Sequence, residues 1–258
     1  MVRNYVVIPF LGKLEMTANL VRQLLDQGEV TEFILLDNGP IPEQFDYPWD
    51  SWVSEMEEPI TTISCPEWNL HKMWNFGIDL AVEYEIDRSF NDQPPFGFEF
   101  PVLVNVAVLN NDLEIVSDSY IGNLAAGLRS MKNLAMVSGT HHDYDFDDLV
   151  AVAHFESGVQ GNSMMLKGEL PFRFDQRFEW WYGDNDFGAQ CENGGYCLGV
   201  VPIAFHIHLD GGSVTTNALT PEKFSTYQEG TLRDRARFHK KWPQIAVGVG
   251  SLPRELLF

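Results

Sequence analysis

Cysteine is scarce in this chain: Cys65, Cys191 and Cys197 are an odd set without close paired spacing. That excludes a disulfide framework and leads to an expectation of reduced thiols in a cytoplasmic protein. Long hydrophobic runs are missing too. No segment approaches the roughly 18 apolar residues of a membrane span, and the first run, Tyr5, Val6, Val7 and Ile8, is too short for a signal peptide. Basic residues are few, with 17 Lys and Arg against 37 Asp and Glu, a net charge of −20 and a pI near 4.5. Such a field repels duplex nucleic acid and anionic lipid, so neither is an expected partner. The turn after the first apolar run, Pro9, Phe10, Leu11 and Gly12, lacks the G-x-G-x-x-G pattern. A nicotinamide dehydrogenase is therefore disfavoured. The glycine-rich phosphate loop of a sugar nucleotidyltransferase is also missing, and no internal repeat or low-complexity tract is evident.

What is present is a chain of 258 residues with 45% hydrophobic content, enough to bury one α/β core. Tyr5, Val6, Val7 and Ile8 read as a first buried strand. Leu14, Ala18, Val21 and Leu25 then recur at helical spacing, with Gly28 as a stop. Phe33 to Leu36 form the next strand, ending in Asp37, Asn38 and Gly39. This β-α-β order predicts parallel strands with a right-handed crossover. Further strands are expected over 60–63, 134–137, 160–166 and 198–208, with helices over 73–82 and along Ile121, Leu124, Ala125 and Leu128, the latter capped by Ser117 or Asp118. Residues 88–100 read as a loop.

The run 102–112 is almost wholly apolar until it stops at Asn110, Asn111 and Asp112. A short β-branched run of this kind fits a strand covered on both faces. Its carboxyl end would lie beside Asp37, at the edge where open α/β sheets bind ligands. The alternative for Asp112 is a plain strand cap. In the run ending in His206, Ile207 and His208, a period of two puts both histidines on one face. Residues 140–148 carry His141, His142, Asp143, Asp145, Asp147 and Asp148, read as a solvated acidic loop. The basic run Arg233, Arg235, Arg237, His239, Lys240 and Lys241 reads as a solvated helix face.

In this order the segments resemble the family 2 glycosyltransferases, which bind nucleotide sugars on a GT-A fold. Five stretches carry the likeness: Val6, Val7, Ile8, Pro9 with Leu35, Leu36, Asp37; Asn69 through the Asn75, Phe76, Gly77 helix; Leu109, Asn110, Asn111, Asp112, similar to an Asp-x-Asp metal motif; Phe174, Asp175 with Tyr182, Gly183, Asp184, Asn185, Asp186; and Pro202 to His208 followed by Gly211, Gly212. Lys240, Lys241 and Trp242 also fit the pattern. Two departures are evident. Asn110 holds the first acidic place of the metal motif, and Gly183 stands where the family usually has Glu.

The resemblance implies a single Rossmann-like, mostly parallel sheet flanked by helices over 1–215, split near 115 into donor and acceptor halves, with a helical extension over 216–258. It implies metal-dependent, inverting transfer of a sugar from a nucleotide diphosphate, with UDP- or dTDP-sugars favoured, to a glycan, lipid-linked or protein acceptor. Asp112 would ligate Mn²⁺ or Mg²⁺, together with one of His208 (first choice) and His206. Asp184 would be the general base. Donor contacts would come from Pro9, Asp37, Asn69, Lys72, Asn110 and Asn111. Trp180 and Trp181 would form an acceptor platform, with Asp186 orienting the acceptor or holding its loop. The competing expectation is a catalytically silent module that binds glycan or nucleotide on the same fold.

Overall fold

The strand-forming runs are buried on both faces, which forces a sheet with helices on each side. In a computed structural model that describes residues 2–11, 13–39, 59–92, 103–141, 149–154, 159–209 and 221–243, the strands are β1 (Arg3–Phe10), β2 (Glu32–Asp37), β3 (Ile60–Ser64), β4 (Val104–Leu109), β5 (Leu113–Ile115), β6 (Leu134–Thr140), β7 (Ala151–Ala153), β8 (Ser163–Lys167) and β9 (Cys197–His208). The helices are α1 (Leu14–Leu25), α2 (Leu70–Asp92), α3 (Tyr120–Ser130), α4 (Gly183–Asn193) and α5 (Pro221–Lys241). Strand order is β3-β2-β1-β4-β8-β6-β9-β5, with β7 paired to β9.

β3, β2, β1 and β4 are mutually parallel, as the β-α-β order predicts, and β6 runs parallel to β9. β8 is antiparallel to both β4 and β6, and the short β5 and β7 pair antiparallel with β9. One face of the sheet packs Val7, Ile34, Val106 and Met164 against Trp74, Ile78 and Phe187. The other packs Ile8, Leu35, Ala107 and Met165 against Leu20, Leu24 and Leu124.

Several boundaries differ from the sequence expectation. The helix expected over 73–82 runs from Leu70 to Asp92, so its last turns occupy what read as loop. The polar residues there are not solvent-seeking. Glu85 is buried and accepts from the Arg3 guanidinium at 3.0 Å and the Tyr5 hydroxyl at 3.0 Å, while Arg88 donates to Glu32 at 2.6 Å. The strand expected over 160–166 begins only at Ser163, after a turn through Gly161 and Asn162. Neither Ser117 nor Asp118 caps α3. Ser119 precedes the helix, and the Glu29 carboxylate accepts the Gly122 N–H at 2.6 Å instead. The acidic residues 142–148 lie outside the described residues. None of the described helices is long and apolar enough to cross a membrane.

α2 approaches the sheet so closely that a Cβ on Gly77 would come within 2.4 Å of Val7 Cγ1. Val7 is a fully buried, β-branched residue of a central strand and has little room to yield. Gly77→Ala is expected to cost about 1–3 kcal/mol through overpacking, despite alanine's better helix propensity. Urea denaturation measures it, and unchanged stability would show that α2 is free to shift outward.

Candidate active site at the carboxyl edge of the sheet

Parallel pairing aligns the ends of β1, β2 and β3, with Phe10 opposite Asp37 and Asp37 opposite Ser64. Pro9 is the last residue but one of β1, opposite Leu36, and Asp37 turns the chain by accepting the Gly39 N–H at 2.8 Å. Burial raises the Asp37 pKa, and that backbone hydrogen bond opposes the rise. Lys72 lies at the start of α2 with its ammonium 3.9 Å above the Trp68 ring.

After β4 the chain turns through Asn110, Asn111 and Asp112 into β5, whose register on β9 sets Leu113 opposite His208. The residue before Leu113 is thereby brought to the end of β9. His208 Nε2 lies 3.2 Å from Asp112 Oδ1, with each side chain 15% exposed. Donors that bind one cation at about 2.1 Å in neighbouring octahedral positions lie about 3 Å apart. The spacing and the mixed oxygen and nitrogen chemistry of Asp112 and His208 thus fit a divalent first-row ion. The described residues contain no cluster of three or more such donors.

His206 shares the inward face of β9 but has a different setting. It is fully buried, its Nδ1 hydrogen-bonds the Tyr120 hydroxyl at 2.9 Å, and that hydroxyl also pairs with Ser163 Oγ. Burial, with the charges of His141 and His208, pushes its pKa down to about 4. Its Nε2 has no hydrogen-bond partner among the described residues.

Asp184 occupies the first turn of α4, where the helix macrodipole favours an acid. It approaches the backbone closely: a Cβ on Gly161 would lie 2.4 Å from its Oδ2. The next residue, Asn162, accepts the Asn110 N–H at 2.8 Å, so a short turn bridges the end of β4 to Asp184. Burial raises the Asp184 pKa, opposed by the Asn185 N–H that it accepts at 2.9 Å and by nearby His71. A carboxylate with raised basicity, held at a sheet edge, is suited to take a proton from a hydroxyl.

Other expected contacts are engaged within the fold. Asn69 Oδ1 caps α2 by accepting the Lys72 N–H at 2.8 Å, and its amide donates to the Gln176 carbonyl at 2.7 Å. The Asn111 amide donates to Thr17 Oγ1 at 3.1 Å, turned towards α1. Asp186 takes the second of its two expected parts, holding the segment in place. It is fully buried, and Gln190 Nε2, Lys241 Nζ and Trp242 Nε1 donate to it at 2.8, 2.9 and 2.8 Å. Its oxygens hold α5 in place and are not presented to a second substrate.

Two basic residues of α5, Arg237 and Lys241, reach buried carboxylates, while Arg233 and Lys240 stay exposed. Arg233 pairs with Glu179, Arg237 with Asp234, and Lys241 with Asp175 and Asp186. Asp234 was missed by the sequence reading. Fully buried, it accepts three consecutive backbone N–H groups, from Glu179, Trp180 and Trp181, at 2.9, 2.7 and 3.1 Å. Trp180 and Trp181 are 39% and 38% exposed beside Asp184, anchored by Asp234 and by a hydrogen bond from Trp181 Nε1 to the Tyr227 hydroxyl. The one available signal was an acid set between Arg233 and Arg235.

The chain matches no protein-family model and no curated protein sequence. Solved structures share its fold. GalNAc-T7 with UDP, GalNAc and Mn²⁺ matches with a TM-score of 0.57 and 13% identity over 82% of this chain and 45% of that one. A mannosyltransferase, PcManGT from Pyrobaculum calidifontis, in complex with GDP-Man and Mn²⁺, matches with a TM-score of 0.59 and 12% identity over 99% and 68%. S. aureus TarS 1-349 in complex with UDP gives 0.54 and 10% over 88% and 64%. The chain thus spans less than half the length of GalNAc-T7, and the likeness is one of fold: a GT-A α/β sheet flanked by helices.

Asp234→Ala leaves three backbone N–H groups without their acceptor and Arg237 without its partner, so a loss of about 2–5 kcal/mol is expected. Urea denaturation measures the loss, and tryptophan fluorescence should report Trp180 and Trp181 released in the folded variant. Acid should act on the same clamp. Asp175 is held far below the ordinary carboxylate range by hydrogen bonds from the Arg177 guanidinium, with its N–H and Lys241 adding and burial opposing. A carboxyl depressed in the folded state contributes stability that is full above about pH 4 and lost as pH falls towards its folded value. Asp175→Asn should therefore flatten the acid limb of Tm against pH; an unchanged limb would exclude Asp175 as its source.

Proposed function

We propose that the chain is a metal-dependent, inverting glycosyltransferase of the family 2 type that moves a sugar from a nucleotide diphosphate to an acceptor hydroxyl. The observation that carries this reading is the meeting of Asp112 and His208 at 3.2 Å, with Asp184 linked to the same strand end through Gly161 and Asn162. Glycosyl transfer needs a general base for the acceptor hydroxyl and a counter-charge for a leaving diphosphate at one edge. In this reading Asp112 and His208 hold the cation, Mn²⁺ being favoured over Mg²⁺ because one donor is an imidazole. The bound ion supplies positive charge that offsets the diphosphate as it leaves.

Asp184 accepts the proton of the acceptor hydroxyl as that oxygen attacks the anomeric carbon from the side opposite the diphosphate, which inverts the configuration. Asp37 takes the base or ribose of the donor, and Lys72 its phosphates, with UDP- or dTDP-sugars favoured. Trp180 and Trp181 offer apolar ring faces to a sugar of the acceptor. The reading is supported by neighbours of the same fold that hold UDP or GDP-Man, in two cases with Mn²⁺. A second reading, a silent binding module, is favoured by one feature: Asn110 replaces an acid in the metal motif, and the described residues offer no third ligand.

Calorimetry with UDP- and dTDP-sugars separates the two. Mn²⁺-dependent binding is expected, and its loss in Asp112→Asn or His208→Ala should exceed the roughly 10- to 100-fold that an outer-shell partner typically costs. Failure of every nucleotide sugar to bind with Mn²⁺ or Mg²⁺ would sink the enzyme reading. Asp184→Asn should lower kcat by about 10²- to 10⁴-fold with donor affinity retained. A silent module would show binding without turnover in the unaltered chain.

A further inference from the structure

Because β8 runs antiparallel to β4, its first residues reach the edge where β4 ends. Ser163 pairs with Leu109, and the Asn162 carbonyl accepts the Asn110 N–H at 2.8 Å. Gly161 and Asn162 are the central residues of a turn closed by the Ser163 N–H on the Gln160 carbonyl at 3.4 Å. The flanks of this turn are held as well. Gln160 Oε1 lies 2.7 Å from His141 Nδ1, Ser163 Oγ pairs with the Tyr120 hydroxyl, and Gly161 lies against Asp184 Oδ2.

On this fixed backbone the Asn162 amide is left unsatisfied. Its Oδ1 is buried and has no hydrogen-bond partner among the described residues. Buried polar atoms of folded proteins are nearly all paired, and an acceptor taken out of water without a donor is a cost to the fold. A polar atom held ready in this way suits a ligand that brings the missing donor.

Chemistry and place narrow that ligand. A side-chain carbonyl oxygen accepts and cannot donate, so it does not pair with an ionised diphosphate. Asp37, proposed above for the base or ribose, ends β2, and β1 and β4 stand between β2 and β8. Three strand spacings of about 4.8 Å put the start of β8 roughly 14 Å from that end. In a nucleotide sugar the group farthest from the base is the transferred sugar, and its anomeric carbon is the atom that the Asp184-activated hydroxyl attacks.

We propose that Asn162 Oδ1 accepts a hydrogen bond from a hydroxyl of the transferred sugar and so helps to select the nucleotide sugar that binds. This rests on the transferase reading above and adds a contact that reading does not contain. Asn162 is a specificity residue, and no bond is made or broken at it.

The test sets free nucleotide against nucleotide sugar, with Mn²⁺ and without acceptor. Calorimetry measures UDP, dTDP and the glucose, galactose and N-acetylglucosamine derivatives of each on the unaltered chain and on Asn162→Ala. Affinity for the tightest nucleotide sugar should fall roughly 3- to 10-fold in the variant, the range of one net hydrogen bond, while the free nucleotide binds both proteins alike. Equal losses for nucleotide and nucleotide sugar, or no loss for either, would overturn the proposal and leave the transferase reading standing. Failure of every nucleotide and nucleotide sugar to bind the unaltered chain rejects that reading, and the proposal with it.

The variant should fold. The described non-glycine residues with positive φ are Lys13, Glu67 and Tyr182, so Asn162 has backbone that alanine adopts, and its Oδ1 makes no bond that alanine removes. Its urea midpoint should not fall. A lower midpoint with unchanged sugar binding would give the amide an internal structural role and overturn the proposal. Monodeoxy forms of the tightest nucleotide sugar close the cycle: one of them should lose affinity for the unaltered chain and none for Asn162→Ala. Identical deoxy losses in both proteins would overturn the contact.

Discussion

The arrangement of this site depends on one carboxylate, that of Asp234, which gathers the N–H groups of Glu179, Trp180 and Trp181. Those residues precede a helix whose first turn must enter with Tyr182 in a left-handed conformation, at φ 66°. Backbone of that kind is costly for a tyrosine unless its surroundings over-determine it. Asp234 and Arg237 fix the segment from one side, and Asp186 with Lys241 and Trp242 fixes it from the other. α5 is thus a part of the acid-bearing segment in all but sequence. Its basic residues neutralise carboxylates that otherwise crowd the start of α4, which explains how a chain of net charge −20 keeps several acids in one place.

The second constraint is strand register. β5 has three residues and contributes little core, yet its pairing with β9 decides that Asp112 meets His208. A slip of one residue would set Ile207 there and send both histidines to the opposite face. The same period of two buries His206 against Tyr120 and leaves Ile207 at 44% exposure. The meeting of Asp112 and His208 comes from pairing between strands far apart in the chain, with no local motif on either.

Much of this was legible in the sequence where physics acts locally. β1, β2 and β4 announce themselves as β-branched runs because they are covered on both faces, and Asp37, Asp112 and Asp184 stand out as acids where such runs or helices begin or end. The antiparallel direction of β8 was not legible: Met164, Met165 and Leu166 are buried alike, and a run buried on both faces carries no mark of direction. The end of α2 read as loop because Glu85 and Arg88 are polar, although their partners, Arg3, Tyr5 and Glu32, lie in the first strands. That Asp186 turns inward was not legible for a related reason. It sits two residues from Asp184, but a helical step of two turns its side chain away from its neighbour and into the core.

That angular separation also explains why neighbouring acids can have opposite fates. Asp186 is matched by an ammonium and an indole N–H, which satisfy its buried oxygens. Asp184 accepts the Asn185 N–H beside Gly161 and pairs with no Lys or Arg among the described residues, and burial raises its pKa. Gly161 and Gly183 make this possible by ceding their side-chain volume, one to the carboxylate and the other to His71. The space a side chain at position 183 would take is filled by the His71 ring from α2.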